Sequence, residues 1–148
     1  MGLDMYVYAV DKERVIDDTN FFVPVKSDDN DLTEIFYWRK HNYIHSWFEL
    51  LWEEKLKRMG RLAADNPAGA KYKDFNCEYI RIDLADLDRL EKCIRKKNMP
   101  FIKGGFLMTC NPTEAYDDED KAYDLKFIEK ARHYIATDIF ALYYYSWW

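Results

Sequence analysis

EIFYWRKHNYIHSWFELLWEEKLKRM, residues 34–59, changes its period partway along. Up to Lys40 it is a run of β-forming residues, Ile35, Phe36, Tyr37 and Trp38, suited to a pleated, half-buried strand. From His41 onward Ile44, Trp47, Phe48, Leu51, Lys55 and Met59 recur at i, i+3, i+4 and i+7, which collects them on one side of an α-helix. The opposite side carries Glu49, Glu53, Glu54 and Lys57. Asn42, just past the break, is read as the N-cap, because its side-chain oxygen suits the free N–H groups of a first turn. A strand that runs straight into an amphipathic helix, whose stripe needs a sheet to pack on, points to helices layered on a sheet, α+β or mixed α/β.

The flanking segments extend the same reading. LDMYVYAV, residues 3–10, is apolar or aromatic everywhere except Asp4, as expected of a strand covered on both faces near the middle of a sheet. Residues 11–33 are polar around a short FFVPV, and Pro24 excludes a central strand, so this is a loop or an edge excursion. Asn66, Pro67 and Gly69 make residues 61–75 a connection. CEYIRID, residues 77–83, is a strand, and Asp83 caps a second helix lined by Leu84, Leu87, Leu90, Cys93 and Ile94 and ended by Asn98 and Pro100. FIKGGFLMTC, residues 101–110, is expected to turn at Gly104–Gly105 into a short strand. Asp117, Asp118, Glu119 and Asp120 complement the positive end of a last helix that runs to about Ile135, and IFALYYYSWW, residues 139–148, closes the chain as a strand. The expected architecture is a single α+β domain over residues 1–148, a mixed sheet of about four to five strands packed with about three helices.

Composition bounds the function. With 22 basic and 27 acidic residues the net charge is −5, and no basic run is present, so phosphate-backbone binding driven by counterion release has no footprint here. Non-specific DNA binding is therefore not expected. The excess negative charge favours encounter with a protein of basic surface. The aromatic share of 18% is high, and aromatics serve cores and binding surfaces equally. Cys77, Cys93 and Cys110 form no CxxC pair, and MGLDMYVYAV has no basic leader and is broken by Asp4, so a cytoplasmic, non-membrane protein is expected. No cofactor motif is present: Gly104–Gly105 lacks the frame of a phosphate loop.

The candidate site residues are the polar groups that a core does not require. His41, His45 and Glu49 fall one turn apart on a helix, a spacing that can present metal ligands. No cysteine or further histidine nearby completes such a set, and no metal is expected. His45 is the candidate general acid or base, with Asp4 as the carboxylate that would orient it. Ser46 adjoins His45 but points about 100° away on the helix. In the tail, Tyr143, Tyr145 and Trp147 share one face of a strand and Tyr144, Ser146 and Trp148 the other; only one set need face the core, and the second either presents rings to a base or a protein partner or is covered by helices as well.

GLDMY at 2–6, YWRKHN followed by IHSWF at 37–48, NCEY at 76–79, GGF at 104–106 and the YYYSWW end resemble a family of small uncharacterised proteins of bacteriophages and prophages. The similarity spans most of the chain, and its specific part is YWRKxNxIHxWF. On these motifs fall Asp4, Trp38, Arg39, Lys40, Asn42, His45, Trp47, Asn76, Tyr145 and Trp147. The resemblance implies a phage accessory protein that binds a host factor or a small anionic, nucleotide-like ligand, for instance an inhibitor of antiviral defence such as CRISPR. Trp38, Arg39, Lys40, Asn42, His45, Tyr145 and Trp147 would form the binding site, at the N-terminus of the first helix where free N–H groups favour anions. Two alternatives stand beside it. One is a small hydrolase of a nucleotide-like substrate that uses His45 and Asp4; the other is a structural or assembly accessory that forms a homo-oligomer through its aromatic tail.

Overall fold

The computed structural model describes residues 2–15, 21, 31–60, 75–101 and 115–148. Four strands and three helices follow in chain order: β1 (Asp4–Asp11), β2 (Thr33–Arg39), α1 (Asn42–Arg58), β3 (Tyr79–Ile82), α2 (Leu84–Lys96), α3 (Asp118–Ala136) and β4 (Phe140–Trp147). The strand order is β2-β1-β4-β3, and each neighbouring pair is antiparallel. The sheet is thus antiparallel throughout the described strands, a narrower arrangement than the mixed sheet expected. The turn at Gly104–Gly105, the strand expected to follow it, and most of 11–33 and 61–75 lie outside the described residues.

β1 is internal, and its side chains alternate. Met5, Val7 and Ala9 are fully buried, while Asp4, Tyr6 and Tyr8 on the other face are half-buried. All three helices pack on the Met5 face, where Trp38, Ile80, Ile82, Leu142 and Tyr144 meet Ile44, Phe48, Leu51, Leu87, Leu90, Ile94, Phe127 and Ile128. The strand expected to be covered on both faces is covered by helices on one. Val7 pairs with Phe36 but Tyr8 with Glu34, so Ile35 is the extra residue of a β-bulge, and Ile35 and Phe36 both reach the core.

α1 begins one residue earlier than expected. Lys40 turns the chain in the left-handed region (φ 54°), with its N–H held by the carbonyl of Leu3 at 2.7 Å, so that His41 occupies the N-cap and Asn42 is already helical. His41 makes no capping hydrogen bond, because its ring is drawn away to a buried carboxylate described below. The burial of α1 is wider than a stripe: Ile44 through Phe48 are buried in succession, together with Leu51, Trp52 and Lys55. The other two helices start as their sequences dictate. Asp83 and Asp86 form a capping box at α2, and Asp117 and Asp120 form another at α3. Leu87, Leu90 and Ile94 are the buried side of α2, whereas Leu84, in its first turn, is 50% exposed. Among the described residues no helix is long and apolar enough to cross a membrane.

Candidate functional site

The junction of β2 and α1 delivers its side chains to three separate places. Trp38 alternates inward, and its indole N–H donates to Asp124 of α3 at 2.9 Å. His41 donates through Nε2 to the same carboxylate at 3.1 Å, and the Tyr116 hydroxyl donates to it at 2.7 Å. Asp124 is fully buried, and three donors directed at it replace the water it has lost. Burial and this carboxylate push the Tyr116 phenol far above its ordinary range, so it remains a donor. His41 is a clamp between β2, α1 and α3.

His45 lies one turn further, in the core. It is 2% exposed, and its Nδ1 is hydrogen-bonded to the Tyr144 hydroxyl at 2.9 Å. Its ring stacks on Phe75 and meets Trp148 edge-on. Burial without a charged partner lowers its pKa to about 4, which keeps the imidazole neutral. Asp4 stands on the opposite face of the sheet, where it accepts from Tyr37, so the structure does not bring Asp4 and His45 together. Among the described residues no group of three or more His, Cys, Asp or Glu is placed to hold a metal ion.

The helix-free face of the sheet collects the remaining candidates. Register places Arg39, Asp4 and Trp147 side by side on β2, β1 and β4. The next row is Tyr37, Tyr6, Tyr145 and Tyr79, and behind it stand Glu34, Tyr8, Tyr143 and Arg81. The phenol rings contact one another in a continuous series, with centroids 5.2 Å apart for Tyr6–Tyr37, 6.5 Å for Tyr6–Tyr145 and 4.6 Å for Tyr79–Tyr145. At its far end the face is closed, as Val10, Ala141 and Tyr143 are buried against Val15 and Leu32. At the near end it is open: Trp147 is 54% exposed, and Arg39 and Lys40 are exposed. Gly2 sits among these groups; a Cβ built there would lie 3.9 Å from Lys40 Cε and 4.0 Å from both an Arg39 guanidinium nitrogen and Asp4 Oδ2. Among the described residues neither Arg39 nor Lys40 forms an ion pair.

Three phenols of this face are held above the ordinary tyrosine range. Tyr37 is pushed up to about 12, chiefly by its hydrogen bond to Asp4; burial and then Asp4 raise Tyr6; burial and then the Cys77 thiol raise Tyr145. The face therefore offers hydroxyls and rings, with Arg39, Lys40 and Asp4 at its open end and Glu34 and Arg81 in the row behind. Of the seven residues read as binding candidates, Arg39, Lys40, Tyr145 and Trp147 share this region. Trp38 and His45 belong to the helix-side core, and Asn42 begins α1 with its amide oxygen buried and, among the described residues, without a hydrogen bond. Tyr6, Tyr8, Tyr37 and Tyr79 were missed because tyrosine counts as apolar in a strand pattern and hides the alternation. Asp124 and Tyr116 were missed because nothing local in the sequence marks a carboxylate that contacts residues more than eighty positions away.

Fold and site together define a two-layer α+β domain with a helix layer on one face of its sheet and a tyrosine-rich free face on the other. No family model, curated protein or solved structure matches the chain.

Proposed function

We propose that the chain is a binding protein that engages a host protein through the open end of its helix-free face, without chemistry of its own. The observation that carries this reading is the row Arg39, Asp4, Trp147 with Lys40 beside it: a half-exposed indole and two cations with no ion pair among the described residues. A core requires none of these groups in that position, and an exposed tryptophan beside arginine is the composition of an interface anchor. The alternative with His45 as acid or base and Asp4 as its orienting group is disfavoured by their separation across the sheet and by the burial of His45.

Size narrows the partner. Three to four strands about 4.8 Å apart, exposed over two side-chain rows, present on the order of 250 Å². That is about a third of what one side of a standard protein interface buries, so the occupant is best read as a loop or extended segment of a folded protein. Such a segment would pack an apolar side chain on Trp147 and Tyr37 and direct a carboxylate to Arg39 and Lys40. The resemblance of GLDMY and YWRKxNxIHxWF to phage and prophage motifs supports a bacterial host factor as the partner, antiviral defence such as a CRISPR effector being the class that lifestyle suggests.

The test starts from a host protein retained by the immobilised chain, which is then identified, purified and titrated calorimetrically against variants. Trp147→Ala is expected to weaken binding by about thirtyfold, the effect of losing a central interface anchor, and Arg39→Glu with Lys40→Glu by at least about tenfold. Both should unfold at the wild-type denaturant midpoint within error. Leu50→Ala, on the exposed side of α1, should bind as the wild type does. Loss of binding in Leu50→Ala with both face variants intact would overturn the proposal. So would retention of no protein, or of only a small anionic molecule, by the wild-type chain.

A further inference from the structure

α2 and α3 pack side by side, and a groove of about 420 Å³ runs along their outer surface, lined by Asp88, Glu91, Lys92, Arg95, Lys96 and Arg132. Its charges are unevenly satisfied. Glu91 is held between Arg95 at 2.6 Å and Arg132 at 2.5 Å, and Arg132 also binds Asp88 at 2.6 Å. These guanidiniums hold the Glu91 carboxyl below its usual range against the opposing effect of burial. Asp88 and Glu91 are thus both bound to arginine. Lys92 and Lys96 are exposed on the rim, and among the described residues neither has an ion-pair partner. They are four residues apart on one helix face, where like charges repel. On a chain of net charge −5, this groove carries four cations and two anions.

We infer that this groove is a second interaction surface, which takes an extended acidic segment of a protein partner. The spacing selects that occupant over a free anion. Residues four apart on a helix rise by about 6 Å, and alternate side chains of an extended chain recur at about 6.7 Å on one side. Carboxylates at i and i+2 of an extended peptide can therefore engage Lys92 and Lys96 one apiece, whereas a single phosphate has to draw both flexible ammonium groups to one point. Helix-terminal placement alone explains cations near the end of α2, since its dipole favours them there. It does not explain why, among the described residues, the two lysines of the rim have no ion pair while both carboxylates of the groove are bound to arginine.

The proposal is tested on the full chain by fluorescence anisotropy at low ionic strength with two labelled hexapeptides of equal charge, alternating Glu-Ser-Glu-Ser-Glu-Ser and blocked Glu-Glu-Glu-Ser-Ser-Ser. The wild-type chain should bind the alternating peptide several-fold more tightly than the blocked one. Lys92→Ala with Lys96→Ala should weaken that binding on the order of tenfold, the combined effect of two partly exposed charge contacts. Lys57→Ala, an exposed lysine of α1 away from the groove, should leave it unchanged. Equal binding of the two peptides, equal weakening by Lys57→Ala, or displacement by inorganic phosphate at the same concentration as by unlabelled peptide would overturn it.

Discussion

His45 makes the folded state sensitive to acid in a calculable way. Its pKa falls from 6.5 to about 4 because the ring is buried at 2% exposure with a neutral hydroxyl, not a carboxylate, on Nδ1. Between these values the unfolded chain binds a proton that the folded chain refuses, so the contribution is fully present above pH 6.5 and is lost as pH falls toward 4. At pH 5 the expected loss is about 2 kcal/mol, and it approaches about 3 kcal/mol below pH 4. For a chain of this length about 2 kcal/mol corresponds to a fall of roughly 4–8 °C in melting temperature. The assay is urea unfolding of the wild type and His45→Gln at pH 7 and pH 5. Glutamine does not titrate, so the wild type should lose about 2 kcal/mol more between the two pH values than the variant does. Parallel losses in the two proteins, or an imidazole titration midpoint near 6.5 by NMR, would refute the buried, neutral assignment.

Lys55 and Asp86 form a second buried arrangement, at 1% and 2% exposure and 2.6 Å apart, with the ammonium also bound to the carbonyl of Arg81. Lys55→Met should cost about 3 kcal/mol at pH 7, because it leaves a buried carboxylate with only Arg89 and the Asp83 N–H; adding Asp86→Asn should recover at least half of it. Burial opposes ionisation of Asp86 but Lys55 outweighs it and its pKa is lowered, so the pair's contribution holds above the ordinary carboxylate range and is lost in strong acid; the Lys55→Met deficit should shrink as pH falls through 4, and a deficit independent of pH would contradict the pairing. Asp124→Asn places an amide N–H group against the Tyr116 and His41 donors and is expected to cost about 2–4 kcal/mol by chemical denaturation, whereas Tyr116→Phe should cost about 1 kcal/mol. Equal costs for the two would remove Asp124 from the centre of the cluster.

The elements were legible where local chemistry decides them. The change of period at residues 40–42, the Asp83 cap and the acidic start of α3 each announce a boundary, and the central position of β1 followed from its lack of charge beyond Asp4. The facing of β1 was not legible, since tyrosine is apolar enough for a core and polar enough for an open face. Lys55 fell on the apolar stripe by spacing alone, and its burial became intelligible only with Asp86, 31 residues away. The candidate site was half visible for the same reason. Arg39, Lys40, Tyr145 and Trp147 were singled out by type, but strand alternation at Trp38 and helix rotation at His45 send those two to the opposite side of the sheet.

Docking of a partner on the open end of the helix-free face, as proposed above, can be read directly from the placement of the tryptophans. Trp38, Trp47 and Trp52 are buried on the helix side, while Trp147 stands exposed on the other. With 5-fluorotryptophan incorporated and the Trp147 resonance assigned from Trp147→Phe, fluorine NMR during titration with the purified host partner should show a shift or broadening at Trp147. The resonances of Trp38, Trp47 and Trp52 should remain in place. Saturation of binding with Trp147 unmoved, and a shift at Trp47 or Trp52 instead, would put the partner on the helix layer and contradict the account.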